Sequence, residues 1–256
     1  MLEFTALKKD SRKLLALTGL TLKEFEVLLP AFTTAYRREQ ASDKTLAGRP
    51  RQRRAGGGRR GVLASMEQKL LFILVYQKTY PLQVVMGELF GMSQPAANQW
   101  IHRLLPILQA ALTDLGVMPE RTGGAFAQAA QARGEAADYI IDGTERRRQR
   151  PKNPEKQAMH YSGKKKAHSD KNLVIVNTRS KRVSYLGPTR AGRTHDKKMA
   201  DAEHISYPPG TRLHKDTGFQ GYEPAVAETR QPKKSRRAKN CHAVRSAATA
   251  LCRACV

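Results

Sequence analysis

The sequence is short of acid. It holds 22 aspartates and glutamates against 46 lysines and arginines, a formal net charge of +24, with a pI near 10.4. So much charge of one sign repels itself and favours a polyanionic partner, with nucleic acid ahead of an anionic membrane surface. Cysteine is scarce too. Cys241, Cys252 and Cys255 all lie near the C-terminus, which excludes a disulfide framework. Cys252 and Cys255 form a lone CxxC whose only nearby further ligands are Cys241 and His242, so unpaired thiols are favoured over a zinc site. Long apolar runs are missing. The longest, LLFILVY at 70–76, is far short of a membrane span. The opening MLEFTALKKD does not lead into the apolar core of a signal peptide. A cytoplasmic chain with no membrane partner is expected. Its 256 residues, 40% of them hydrophobic, suffice for one large domain or two modest ones.

What is present begins with helices. Residues 21–37 space Leu22, Phe25, Leu28, Leu29 and Phe32 helically, with Thr21 and Glu24 placed as a capping box and Pro30 as a kink or break. GRPRQRRAGGGRRG at 48–61 has no acid and cannot build a core; it reads as a flexible connection, either solvated or neutralising DNA phosphates. Residues 64–79 are helical again, with Met66, Leu70, Leu71, Leu74 and Val75 on one side. Then YPLQVVMGELFGMSQPAANQWIHRLLPIL at 80–108 gives an apolar face of Val84, Val85, Leu89 and Phe90, a break at Gly91 and Met92, and an N-cap at Ser93. The next helix, Gln94 to Leu105, is expected to bury Ala97, Ile101, Leu104 and Leu105. Helix, glycine turn and capped helix is the helix-turn-helix pattern, though ordinary helical hairpins share it. In that motif Gln94, Asn98 and Gln99 would read base edges, while His102 and Arg103 would contact phosphate.

Residues 116–137 are rich in Gly, Ala and Gln and are expected to be a linker. Beyond them the pattern turns to strands: ADYIID at 137–142, NLVIVN at 172–177, RVSYLG at 182–187 and TRLHKD at 211–216. A short helix at 194–204, capped by Thr194, separates the last two, so a mixed α/β domain is expected. Two of these strands end on aspartate, Asp142 in IIDGT and Asp216 in LHKDTG, each followed by turn-competent residues. Capping or ion pairing is the ordinary role of such an aspartate. Two alone in a domain this basic would be salt-bridged; with a third acid they could hold a pair of Mg²⁺ ions, hard cations that keep water and substrate phosphate in their shells. The arginines that follow Asp142 would then hold the phosphate backbone.

These stretches, together with HYSGKKKAHSDKNLVIVN, GRTHDKKMAD and LHKDTGFQGYEP, closely resemble the DDE-type transposases of bacterial insertion sequences, of the family-five kind. The resemblance implies an α+β chain. An all-α helix-turn-helix domain (1–115) would precede an incomplete ribonuclease-H-like domain with a mixed sheet (138–234). It implies cleavage and strand transfer on double-stranded DNA, at element ends and target, with Mg²⁺ or Mn²⁺ as cofactor. It further implies a nucleoid location and action as a homo-oligomer. Asp142 and Asp216 take the places of the first two catalytic and metal-binding acids. Arg146 and the turn residues Lys164, Lys165 and Lys166, with His168 beside them, are expected to contact DNA, a solvated basic turn being the plainer reading. Glu145 is either an outer acid or the partner of Arg146, and His195 and Asp196 are expected to be structural or peripheral, Asp196 suiting a helix N-terminus.

The pattern then stops. The family's third acid is a glutamate on a helix well downstream, and no Asp or Glu follows Glu228. The tail, 235–256, holds every cysteine and is rich in Ala and Arg. It is expected to come from a shifted reading frame, in either a degraded copy or the unshifted product of a programmed frameshift. A chain without the third acid is expected to bind DNA but cleave it poorly, and a non-catalytic repressor of transposition is the alternative.

Overall fold

The computed structural model describes residues 1–42, 48–50, 52 and 61–232; the expectations for the tail and the cysteines lie outside these residues, as does most of the basic stretch at 48–61. The chain divides after Met118 into two compact units.

The named elements of the first unit, among the described residues, are helices: α1 (Phe4–Leu7), α2 (Ser11–Thr18), α3 (Leu22–Ala41), α4 (Met66–Thr79), α5 (Gln83–Phe90) and α6 (Gln94–Asp114). The capping box of α3 is formed as expected. The Thr21 hydroxyl accepts from the Glu24 N–H at 3.3 Å, and the Glu24 carboxylate accepts from the Thr21 N–H at 2.7 Å. Pro30 does not split the helix. Thr21→Ala removes one acceptor from the helix start and is expected to lower stability by about 1 kcal/mol, read as a shifted urea midpoint at unchanged slope.

Helix α4 is the axis of this unit. Leu70 to Val75 are all buried, so the one-sided face read from the sequence is in fact an all-round core helix. Lys69 is buried beside them, its ammonium donating to the Leu63 and Ala64 carbonyls at 2.6 and 3.1 Å and lying over the Tyr36 and Trp100 rings. Those acceptors are what make a buried lysine tolerable.

Helices α5 and α6 form the expected helix-turn-helix, with Gly91 in the left-handed conformation (φ 67°) and the Ser93 hydroxyl capping α6. Two details differ from the sequence reading. Helix α6 runs on through Pro106 to Asp114, and Leu105 is only partly buried. Helix α5 packs through Met86, Gly87 and Phe90, leaving Val84, Val85 and Leu89 exposed. The reason lies at Gly87, where a side chain would sit 2.6 Å from the Met92 carbonyl oxygen. The bare glycine face is what lets α5 approach the turn.

The second unit begins at Pro119. The stretch expected as a linker holds α7 (Phe126–Ala132). Phe126 is fully buried and meets Tyr139, Tyr185 and Tyr207 edge-on, at centroid separations of 5.3, 6.0 and 5.8 Å. One large ring among alanines anchors a segment whose composition reads as connection.

Among the described residues seven strands follow: β1 (Asp138–Arg147), β2 (Tyr161–Ser162), β3 (Ala167–Asn177), β4 (Val183–Leu186), β5 (Arg190–Ala191), β6 (Arg212–Lys215) and β7 (Glu228–Arg230). Helix α8 (Pro154–His160) precedes β2, and α9 (Asp196–Glu203) lies between β5 and β6. The sheet runs β2-β3-β1-β6-β7, with β4 and β5 also on β3. β1 is antiparallel to β3 and parallel to β6, and β6 is parallel to β7, so the sheet is mixed as expected and the chain is α+β. Tyr139, Ile141, Leu173, Ile175 and Leu213 form the core face, against which α9 packs Met199 and Ala200. His195, not Thr194, caps α9, its Nδ1 accepting from the Lys197 N–H at 3.3 Å. Thr194 sits in the preceding turn, its N–H donating to Ala191 and its carbonyl accepting from Lys171. Among the described residues, no helix is long and apolar enough to cross a membrane.

Candidate active site and DNA interface

The candidate active site lies where β6 stops and β1 continues. Ile141 pairs with Lys215, the last register pair of these two parallel strands. Asp142 is the next residue on β1 and Asp216 the first residue after β6, and neighbouring strands lie about 4.8 Å apart. Beyond Asp142, β1 keeps its pairing to β3 as far as Arg147. The first strand thus does not end on Asp142 as the sequence suggested; a notch opens because β6 stops while β1, held by β3, runs on, with Asp142 on one side and Asp216 on the other.

Each aspartate is fixed by its own turn. Asp142 Oδ1 accepts from the Gly143 N–H at 2.8 Å, and Asp216 Oδ1 accepts from the Gly218 N–H at 2.6 Å as the cap of a 3-10 turn, Thr217–Phe219. Burial pushes the Asp142 carboxyl above its ordinary range. The Gly143 hydrogen bond opposes that, the negative charges of Asp216 and Asp196 add to it, and the Lys164 ammonium opposes it. Lys164 lies on the exposed turn of Lys164, Lys165 and Lys166 that leads into β3, with Lys166 in a left-handed conformation (φ 50°). The turn thus brings positive charge towards Asp142.

Asp196 was read from the sequence as structural or peripheral. At the first turn of α9 its carboxylate lies between the two aspartate turns. A side chain at Gly143 would sit 2.7 Å from Asp196 Oδ1, and one at Gly218 would sit 2.8 Å from Asp196 Oδ2 and from Asp216 Oδ1. The two glycines make room for this third carboxylate. Its charge is taken up by Lys171 of β3, whose Nζ lies 3.1 Å from Asp196 Oδ1 and donates to the Thr194 carbonyl at 3.1 Å. The signal in the sequence was glycine closely following each aspartate, in IIDGT and KDTG. It identifies a tight approach but not what approaches.

The surrounding residues are largely engaged. Arg146 donates to Asn172 Oδ1 at 2.8 Å and Thr189 Oγ1 at 3.4 Å. Glu145 accepts from the Ser169 hydroxyl at 2.5 Å, neither pairing with Arg146 nor joining the acid pair. His168 stacks edge-on against Tyr161. Among the described residues, no three His, Cys, Asp or Glu side chains form a set able to hold a metal ion. Asp142 and Asp216 nevertheless fit Mg²⁺ or Mn²⁺ in the manner hard cations favour: one or two carboxylates, with water and phosphate completing the shell.

On the helical unit, Gln94, Gln99 and His102 are exposed along α6 and Asn98 is partly so. The Gln94 amide donates to Gln83 Oε1 at 2.8 Å, tying the start of α6 to α5. Arg103 is turned inward. Its guanidinium lies 3.7 Å from Glu39 and over the Tyr36 and Trp100 rings at 5.3 and 5.4 Å, so it packs α6 onto α3.

Comparison with known proteins agrees with both units. Residues 62–114, spanning α4 to α6, match the family described as the helix-turn-helix of DDE superfamily endonuclease. Residues 141–256 match the family described as DDE superfamily endonuclease, a span that contains Asp142, Asp196 and Asp216 and extends through the basic tail. No curated protein and no solved structure matches the chain. The chain therefore carries an endonuclease domain of the DDE superfamily together with its helix-turn-helix partner, the domain make-up of a transposase.

Proposed function

We propose that this chain is a transposase of the insertion-sequence family-five kind, recognising the ends of its element through α6. In this reading Gln94, Asn98 and Gln99 meet base edges, and His102, Arg146 and the Lys164–Lys166 turn meet phosphate. The sheet unit is of the ribonuclease-H-like kind, and Asp142 and Asp216 hold Mg²⁺ or Mn²⁺. When bound, such an ion stabilises the charge that develops on phosphate as a strand is cut. The two aspartates supply the anionic oxygens, their glycine turns fix the direction of those oxygens, and Lys164 draws the phosphate backbone towards them. The observation that supports this reading is the parallel register ending at Ile141 and Lys215, the residues directly before Asp142 and Asp216.

The notch offers a pair of carboxylates, and the third acid nearby is neutralised by Lys171. We therefore assign this chain DNA binding with little cleavage on its own. The same observations favour a second reading, a non-catalytic repressor that occupies element ends. Purified protein, end-containing DNA and Mg²⁺ or Mn²⁺ test both. The expected result is a mobility shift that weakens steeply with salt, as phosphate-led binding does, and little nicking. Robust nicking refutes the loss of catalysis; a chain that binds no DNA refutes both readings.

A further inference from the structure

We propose that the Lys171–Asp196 ion pair is a positioning pair that sets the charge of the notch, so that Lys171 withholds a third carboxylate from a cation held by Asp142 and Asp216. The inference rests on the cation reading above and adds the residues that control it. Three observations carry it.

First, Asp196 does not lie at the site by default. The place of its carboxylate depends on two glycines, Gly143 and Gly218, which belong to the turns of the two candidate ligands, and a side chain at either would collide with it. Second, the ammonium of Lys171 holds it there. Lys171 comes from a third element, β3, and is fixed at 3.1 Å both to Asp196 and to the Thr194 carbonyl just before α9. Both side chains are largely shielded from water, at 12% and 16% exposure, so their charges reach the notch with less screening than a surface pair would. Third, the pair is neutral as a whole. Removing either partner alone changes the charge beside the notch by one, in opposite directions.

That opposition separates an electrostatic role from a merely structural one. Mn²⁺ binding to the full chain is followed by the loss of the free-ion electron paramagnetic resonance signal. Asp196→Asn leaves the lysine charge unbalanced and is expected to weaken Mn²⁺ binding about fivefold or more, while Lys171→Gln leaves the aspartate charge unbalanced and is expected to strengthen it by a similar factor. The double variant returns to near the wild-type affinity. Each substitution keeps the approximate shape of the residue and a hydrogen-bonding amide. Lys171→Gln is the deciding variant, since a structural lesion does not tighten binding; should it fail to fold, Lys171→Met takes its place with the same tightening expected.

Weakening in Lys171→Gln, or wild-type affinity in either single variant, overturns the inference. Asp142→Asn separates this from failure of the underlying reading. If Asp142→Asn abolishes Mn²⁺ binding while the Lys171 and Asp196 variants bind like wild type, only the present inference fails. If Asp142→Asn binds Mn²⁺ as wild type does, the cation reading fails and this inference with it.

Discussion

Asp142→Asn is expected to raise the melting temperature of the metal-free protein while removing its response to divalent cations. Burial holds the Asp142 carboxyl above its ordinary value of 3.8, and the neighbouring Asp216 and Asp196 charges push it the same way. A carboxyl raised in the folded state gives its full stabilisation only below the unfolded value and loses it as pH rises through the folded value. At neutral pH the folded chain therefore carries a charge it disfavours. Asparagine removes that charge and keeps an amide oxygen to accept from the Gly143 N–H, as the carboxylate does at 2.8 Å. A gain of about 0.5–2 kcal/mol is expected, the usual return when a strained functional group is replaced. Thermal unfolding from acid to neutral pH checks it: the margin of the variant over wild type grows as pH rises through the folded-state value of Asp142. Mn²⁺ reverses the order. At about a hundredfold excess over its dissociation constant it stabilises wild type by about 2.7 kcal/mol, and the variant not at all. A variant that melts earlier than wild type without metal, or responds equally to Mn²⁺, contradicts the assignment.

The second large effect belongs to the helix-turn-helix. Gly87→Ala places a methyl group 2.6 Å from the Met92 carbonyl oxygen and 3.5 Å from the Gln94 nitrogen. Both are backbone atoms of the turn and of the start of α6, so no flexible side chain can give way. Alanine is the better helix former by about 1 kcal/mol. Overpacking against fixed backbone nonetheless costs about 1–3 kcal/mol, and the gap between α5 and α6 must widen. Loss of end-specific DNA binding is expected, with Mn²⁺ binding by the other unit unchanged. Retained specific binding in a mobility-shift assay means that α6 does not depend on this close approach.

How much of this was legible beforehand varied with the kind of interaction. Local signals read well. Thr21 and Glu24 announced the capping box, Ser93 the start of α6, and the apolar runs at 139–141 and 173–176 the central strands. Side-chain engagement across elements did not. Arg103 looks like a phosphate contact on a basic helix, and only the placement of Glu39, Tyr36 and Trp100 shows it turned inward. Val84, Val85 and Leu89 have core chemistry, yet the face of α5 that packs is the one with Gly87. Residues 116–137 are poor in large apolar side chains, and a single ring, Phe126, makes them part of the second core. Asp196 was hidden for a different reason. A helix-start aspartate has a sufficient local explanation, so nothing in its neighbourhood pointed to the turns of Asp142 and Asp216, far away in sequence.

The two cores share no residue: Leu70 to Val75 and their neighbours fill one, and Tyr139, Ile141 and their neighbours fill the other. Damage is therefore compartmentalised. A lesion in the acid notch leaves α6 supported, so under the proposed function a descendant gene that has lost its chemistry would still make a protein that grips the same DNA. Copies of such an element would decay first into competitors of their own parent, and only later into silence.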